Sequence, residues 1–296
     1  MKKIIYNISI LILTITFLFS TYKIISTELE YKKSENAYDN INKEIQIEKE
    51  NSLQEQSQIQ TETTSNIEYT ENITEEKSEE LINNYPKEKF DIKIDWENMN
   101  KNIIAWIYIP DTNISYPIMQ ADNNQYYLHH LYDGNYNSSG SIFIDYKNNN
   151  NFLDKNTIIY GHNMKNGTMF HGIKKYMEQE YADSHRYIYI VTKEKTKIYY
   201  VIGCLSTSSK GEKDGYTAYQ INPEDISWIK LSIEKSLIKT QIDDLEGNTI
   251  TLSTCLTGNS DDKRCVVIAK EINWFTYKYW FLKIHIIKLK KKVKWF

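Results

Sequence analysis

Arginine is almost missing from this chain: of 36 basic side chains only two are Arg, at 186 and 264, and the rest are Lys. Glycine (10) and proline (4) are also scarce among 296 residues, which excludes collagen-like and Pro/Gly-rich low-complexity architectures. Cysteine occurs three times, as Cys204, Cys255 and Cys265, and no two are spaced as CxxC. A zinc ribbon or thioredoxin-like redox site therefore has no support, and an odd count in an exported chain leaves at least one free thiol. The net charge of −3 says little as a sum, and no nucleic-acid partner is expected. That small sum hides an acidic front and a basic tail.

What is present is unevenly distributed. Lys2 and Lys3 precede a mainly apolar run from Ile4 to Tyr22. As a helix rising about 1.5 Å per residue, such a run nearly crosses a hydrocarbon core of about 30 Å. The lysines favour a cytoplasmic amino end. A cleaved signal peptide is the alternative, but no small-x-small cleavage site follows, so residues 1–26 read as a membrane anchor that leaves the rest of the chain outside the cell. Residues 27–88 are rich in Glu, Gln, Asn, Ser and Thr and sustain no apolar period. They read as a polar stalk, helical over Glu28–Glu50, because such a composition buries too little surface to offset its ordering entropy.

A folded domain is expected over 89–272. Short β-branched and aromatic runs follow one another there: Ile103–Ile109, Ile114–Met119, Ser141–Tyr146, Asn156–Tyr160, Tyr187–Thr192, Lys197–Leu205, Thr249–Cys255 and Cys265–Lys270. Pro117 predicts an edge or a bulge in the second. Lys193–Thr196 reads as a hairpin turn between the fifth and sixth. One helix is expected over 223–239, from its Asn222-Pro223-Glu224-Asp225 start and the spacing of Ile226, Ile229, Ile233 and Leu237. Many short strands with few helices predict a β-barrel or sandwich. The last segment, 273–296, is aromatic and then lysine-rich, a solvated tail, a core helix or an interfacial segment on anionic lipid.

Three side chains stand out for chemistry. Cys255 ends a strand and meets a polar loop, a position where rigid scaffolds place reactive groups. An ordinary thiol has a pKa of about 8.5, so it needs a base or cation nearby to act at neutral pH. Arg264 starts the next strand, nine positions on, where a hairpin can bring its fixed fork beside Cys255. His162 follows the strand Thr157–Tyr160 after Gly161, a residue that permits an unusual backbone angle. His129, His130, His171 and His185 compete with it, and a buried core thiol is the competing reading of Cys255.

These residues carry a resemblance to the sortases, and within them to class B. The cysteine motif TLxTC stands as Thr251-Leu252-Ser253-Thr254-Cys255, and the histidine motif as Tyr160-Gly161-His162-Asn163-Met164 with Gly167-Thr168-Met169-Phe170 after it. Arg264-Cys265-Val266-Val267 stands as the arginine strand, and Trp106–Pro110, Ile114–Ile118, Tyr126–Leu128 and Gly140–Asp145 occur in family order. The resemblance covers roughly residues 90–272. It implies a closed eight-stranded β-barrel with added helices, no metal and no organic cofactor. It also implies a thioacyl enzyme at Cys255, general acid–base work by His162, and carbonyl or oxyanion binding by Arg264. Thr254, Ser253, Leu252 and Asn163 are the implied substrate-binding residues. The implied partners are surface proteins bearing a C-terminal sorting signal and an amine of the cell wall or a pilin. Cys265, beside Arg264, departs from what the pattern requires. Strand alternation turns it away from Arg264, and both Cys265 and Cys204 are expected in the core. A cysteine endopeptidase and a non-catalytic anchored binding module are the competing functions.

Overall fold

The Ile-, Tyr- and Val-rich runs form strands in the computed structural model, which describes residues 2–50, 89–208, 227–240, 247–256 and 263–272. Eight strands close on themselves. They are β3 (Ile103–Tyr108), β4 (Ser115–Met119), β5 (Ile142–Ile144), β6 (Asn156–Tyr160), β7 (Tyr187–Val191), β8 (Thr196–Ser208), β9 (Thr249–Cys255) and β10 (Lys263–Ile272). Their order around the barrel is β10-β8-β7-β3-β4-β5-β6-β9, and β9 pairs back onto β10. The β4–β5 and β6–β9 pairs are parallel, whereas β3–β4, β3–β7, β5–β6, β7–β8 and β9–β10 are antiparallel. Closure removes the exposed edges that an open sheet of such apolar strands would present. Trp106, Ile107, Tyr189, Tyr199, Ile250, Leu252 and Val267 are among the buried side chains.

The expected hairpin forms, with Val191 opposite Thr196 and the Thr192 backbone N–H bonded to the Lys195 carbonyl. Pro117 lies on no edge. It pairs with Trp106 inside the closed sheet, and the register shift falls one step away, between Ile103 and Ala105. The neighbouring strand β5 joins β4 only at Ile118 and Met119, so Pro117 sits past the end of that pairing and its missing N–H is tolerated. Elements not legible in the sequence include the 3-10 helices Tyr126–Leu128 and Phe170–Met177 and α2 (Gln179–Ser184), and Ile45–Glu50, expected as helix, is a strand. Helix α3 (Ser227–Glu234) is the expected helix, shorter at its end; its Asn222–Asp225 start signal lies outside the described residues. So do the rest of the stalk (51–88), most of the Leu256–Lys263 loop and the tail 273–296.

At the amino end, α1 (Lys2–Asn42) is one continuous helix of 41 residues. Its first part is apolar and exposed: Ile4, Leu11, Leu13, Phe17 and Phe19 all face outward. It is long and apolar enough to cross a membrane, with a mean hydropathy of 2.0 over its most apolar stretch.

The second half corrects the stalk reading. Ser34, Tyr38 and Ile41 are buried, and they recur at helical spacing along one stripe. The Tyr38 hydroxyl donates to the Gly140 carbonyl (2.7 Å), and its ring meets Tyr116 edge-on at 5.2 Å. Asn137 Nδ2 donates to the Glu30 carbonyl (3.0 Å), Asn166 Nδ2 to Glu35 Oε1 (2.8 Å), and Ser115 Oγ to Asn42 Oδ1 (2.8 Å). Glu30, Glu35 and Asn42 on this helix are thus partners for polar groups of the barrel.

The domain boundary moves as well. Lys89–Ile94, read as the start of the folded domain, is strand β2 and pairs antiparallel with β1 (Ile45–Glu50), and both strands belong to a unit other than the barrel's. The barrel's own unit comprises residues 1–43 and 96–271.

Candidate active site

Strand β9 is buried along its length except at its last residue. It lies between β6 and β10, and the 3-10 helix Phe170–Met177 packs against it, so both its faces are covered. Cys255 at the strand end is half-buried and a free thiol. Arg264 sits directly opposite it in the antiparallel β9–β10 register, so the two residues share a face of the sheet. The other arginine, Arg186, is buried and structural: it donates to the Val201 and Lys239 carbonyls and pairs with Asp183.

His162 arrives from the parallel neighbour. Tyr160 is level with Ser253, and the two chains stay together past the strand end. The Gly161 N–H donates to the Ser253 carbonyl, and Thr254 Oγ donates to the Gly161 carbonyl (2.7 Å). One residue further, Asn163 Nδ2 donates to the carbonyls of Cys255 (2.9 Å) and Leu256 (3.2 Å). His162 is therefore bracketed by two contacts that tie its flanking residues to Thr254 and Cys255. Its Nε2 lies 2.8 Å from the Leu128 carbonyl. A carbonyl only accepts, so in the neutral ring Nε2 carries the proton and Nδ1 the lone pair. The His129 ring stacks at 6.2 Å from that of His162.

Burial holds the His162 pKa below the ordinary imidazole value, with nearby His129 and Arg264 pushing the same way and the Leu128 carbonyl opposing them. The sign of the stability effect follows. The unfolded chain takes up its proton near pH 6.5 while the folded chain resists until lower pH. Folding stability from this group is therefore full above about pH 6.5 and is lost as the pH falls through the depressed folded value. Urea titrations across that range should show His162→Gln flattening the acid-side loss.

Gly161 has a different task from the one its type predicts. Its φ is not in the left-handed region. What it provides is space: a Cβ there would clash with Ile142 Cδ1 and lie 2.7 Å from the Phe170 ring. Gly161→Ala should cost about 1–3 kcal/mol by overpacking, read as a fall in Tm, and should displace the histidine that follows.

The residues implied as substrate-binding divide. Leu252, Ser253 and Thr254 are buried in the wall, and the Thr254 hydroxyl is engaged with Gly161, so their side chains offer a substrate no surface. Asn163 is half-buried and fully occupied: its amide holds the Cys255 end of β9, and its Oδ1 lies 2.8 Å from His171 Nδ1. His171, a competitor in the sequence, was thus missed as the partner that orients this clamp. Of the other histidines, His130 stacks on Tyr126 and His185 on Tyr181. Cys204 and Cys265 are both fully buried, with sulfurs 3.9 Å apart, as core residues. Among the described residues no cluster of His, Cys, Asp and Glu could hold a metal ion.

Comparison with known proteins fixes the class. The family model described as Sortase domain matches residues 107–272, more than half of the chain, and the chain belongs to the sortase family, whose members are cysteine transpeptidases. Its relatives are of the B class. Sortase B of Staphylococcus aureus is 27% identical over 276 residues, covering 92% of this chain and 98% of that protein. Sortase B of Listeria monocytogenes is 52% identical over 91 residues, 31% of this chain but only 37% of that protein. The X-ray structure of Clostridium perfringens sortase B superposes with a TM-score of 0.54 at 31% identity, covering 60% of this chain and 97% of that one.

Proposed function

We propose that this chain cleaves a C-terminal sorting signal and transfers the protein upstream of it to an amine of the cell wall or of a pilin. The observation that carries the reading is the placement of Arg264 opposite Cys255 across β9–β10, with His162 held beside them by the parallel β6–β9 pair. The Cys255 sulfur attacks the carbonyl carbon of a Thr–Gly or similar bond, and the C–N bond breaks. His162 Nδ1, the nitrogen free of the Leu128 carbonyl, takes the Cys255 thiol proton and passes it to the leaving amine. The acyl group is then a thioester on Cys255. An incoming amine attacks that carbonyl and gives a proton to His162, the C–S bond breaks, and that proton returns to the departing sulfur to restore the thiol. The Arg264 guanidinium holds the carbonyl oxygen as it gains charge. Asn163 and Thr254 act as positioning residues that fix the strand end rather than as substrate contacts.

In this reading residues 1–26 anchor the chain, with the barrel outside the cell, and the apolar exposed half of α1 supports it. The segment 273–296, basic at its end, is a second candidate for membrane contact. The test is incubation of the full chain in detergent with a library of peptides varied around a Thr–Gly bond, with and without a primary amine. Mass spectrometry should find the amide product when amine is present. Free acid alone, whatever the amine concentration, would make the chain an endopeptidase. No cleavage of any peptide would favour a binding module.

A further inference from the structure

Helix α1 leaves little distance between bilayer and barrel. The apolar segment reaches Ile25, Glu28 is the first acid after it, and Glu30 already holds the barrel through Asn137 Nδ2 and Ser138 Oγ (2.6 Å). Between Ile25 and Glu30 a helix rises only about 7.5 Å. The headgroup layer on each side of the hydrocarbon is about 5–7 Å deep. A helix that is unbroken over this stretch cannot act as a slack tether.

Among the described residues, the barrel's hydrogen bonds to α1 that lie nearest the apolar segment come from Asn137 and Ser138, in the 126–139 loop. Tyr136, next to Asn137, is 66% exposed, and Tyr126 is 42% exposed. Neither ring is loose. Tyr136 stacks on His129 (6.0 Å) and meets His130 edge-on (5.8 Å), and its backbone bridges to His130; Tyr126 stacks on His130 at 4.0 Å. A tyrosine with an apolar ring and a polar tip is suited to the headgroup level. We infer that the 126–139 loop rests in the phospholipid headgroup layer, with Tyr136 as its contact, so that α1 docks the barrel on the bilayer instead of holding it away. The consequence reaches the site: Leu128 of this loop accepts the His162 hydrogen bond, so the imidazole is braced by the same segment that meets lipid.

This inference rests on the reading of α1 as a membrane anchor, and one experiment separates the two. The full chain carrying Cys255→Ala and Tyr136→Cys is labelled with a nitroxide, Cys204 and Cys265 being buried, and reconstituted in phosphatidylcholine vesicles. Leu153→Cys, three residues before β6 and at the strand end away from His162, gives the control. The label at 136 should lose accessibility to an aqueous paramagnetic relaxant on reconstitution, while the label at 153 stays accessible. Inserting seven helix-forming residues between Ser26 and Thr27 lifts the barrel by about 10.5 Å with its facing nearly kept, and should restore access at 136. If the chain floats with vesicles but the 136 label remains as accessible as that at 153, the docking inference fails alone. If the chain does not float, the anchor reading fails with it.

Discussion

Cys255→Ala is expected to abolish peptide cleavage and acyl-enzyme formation together, with no measurable residue of either. The sulfur is the only atom in the proposed cycle that becomes covalently bound to substrate, and neither His162 nor Arg264 can replace it. The fold should survive, because Cys255 is half-buried at a strand end and its backbone contacts to Asn163 run through its carbonyl. A melting curve close to wild type would therefore accompany complete loss of turnover. Cys204→Ala is the matched control: it removes a buried sulfur 3.9 Å from Cys265, so it should lower stability slightly while each folded molecule keeps its rate.

His162→Gln should lower kcat/KM by about 10²–10⁴. The glutamine amide can still donate to the Leu128 carbonyl, so the loop stays braced, but it has no lone-pair nitrogen to take and return a proton. The variant thus separates proton transfer from architecture. Steady-state kinetics with a cleaved peptide, beside a thermal melt, provide the check. A rate within a fewfold of wild type in a folded variant would remove His162 from the proton path and turn attention to His129, whose ring lies 6.2 Å away.

The strands were legible because their residues had to be. β6 and β9 are runs of Ile, Thr and Leu buried on both faces, and their sequence limits matched their structural ones at Asn156–Tyr160 and Thr249–Cys255. The pairing of Arg264 with Cys255 was also readable, since a single strand–loop–strand unit fixes it. The docking of α1 was not. Its buried stripe consists of one serine, one tyrosine and one isoleucine within a run of Glu, Lys and Asn, so apolar periodicity is too thin to show. What holds it is hydrogen bonding to loops 100 residues further on, such as Tyr38 to Gly140, which no local pattern encodes. Gly161 was misread for a related reason: glycine at a turn predicts a backbone angle, whereas here it answers to Ile142 and Phe170, side chains from other elements. The motif residues Leu252, Ser253 and Thr254 likewise looked like substrate contacts because they adjoin Cys255. Alternation and the flanking strands bury them, and their task is to hold the strand end still.

In the proposed cycle Cys255 carries the acyl group. Its most direct test is the intact mass of the full chain after brief incubation with a cleavable Thr–Gly peptide and no amine. A mass increase equal to the acyl half of the peptide is expected, released by hydroxylamine and mapped by digestion to the peptide containing Cys255. An adduct on Cys204, Cys265 or a lysine, or continued cleavage with no adduct on Cys255, would contradict it.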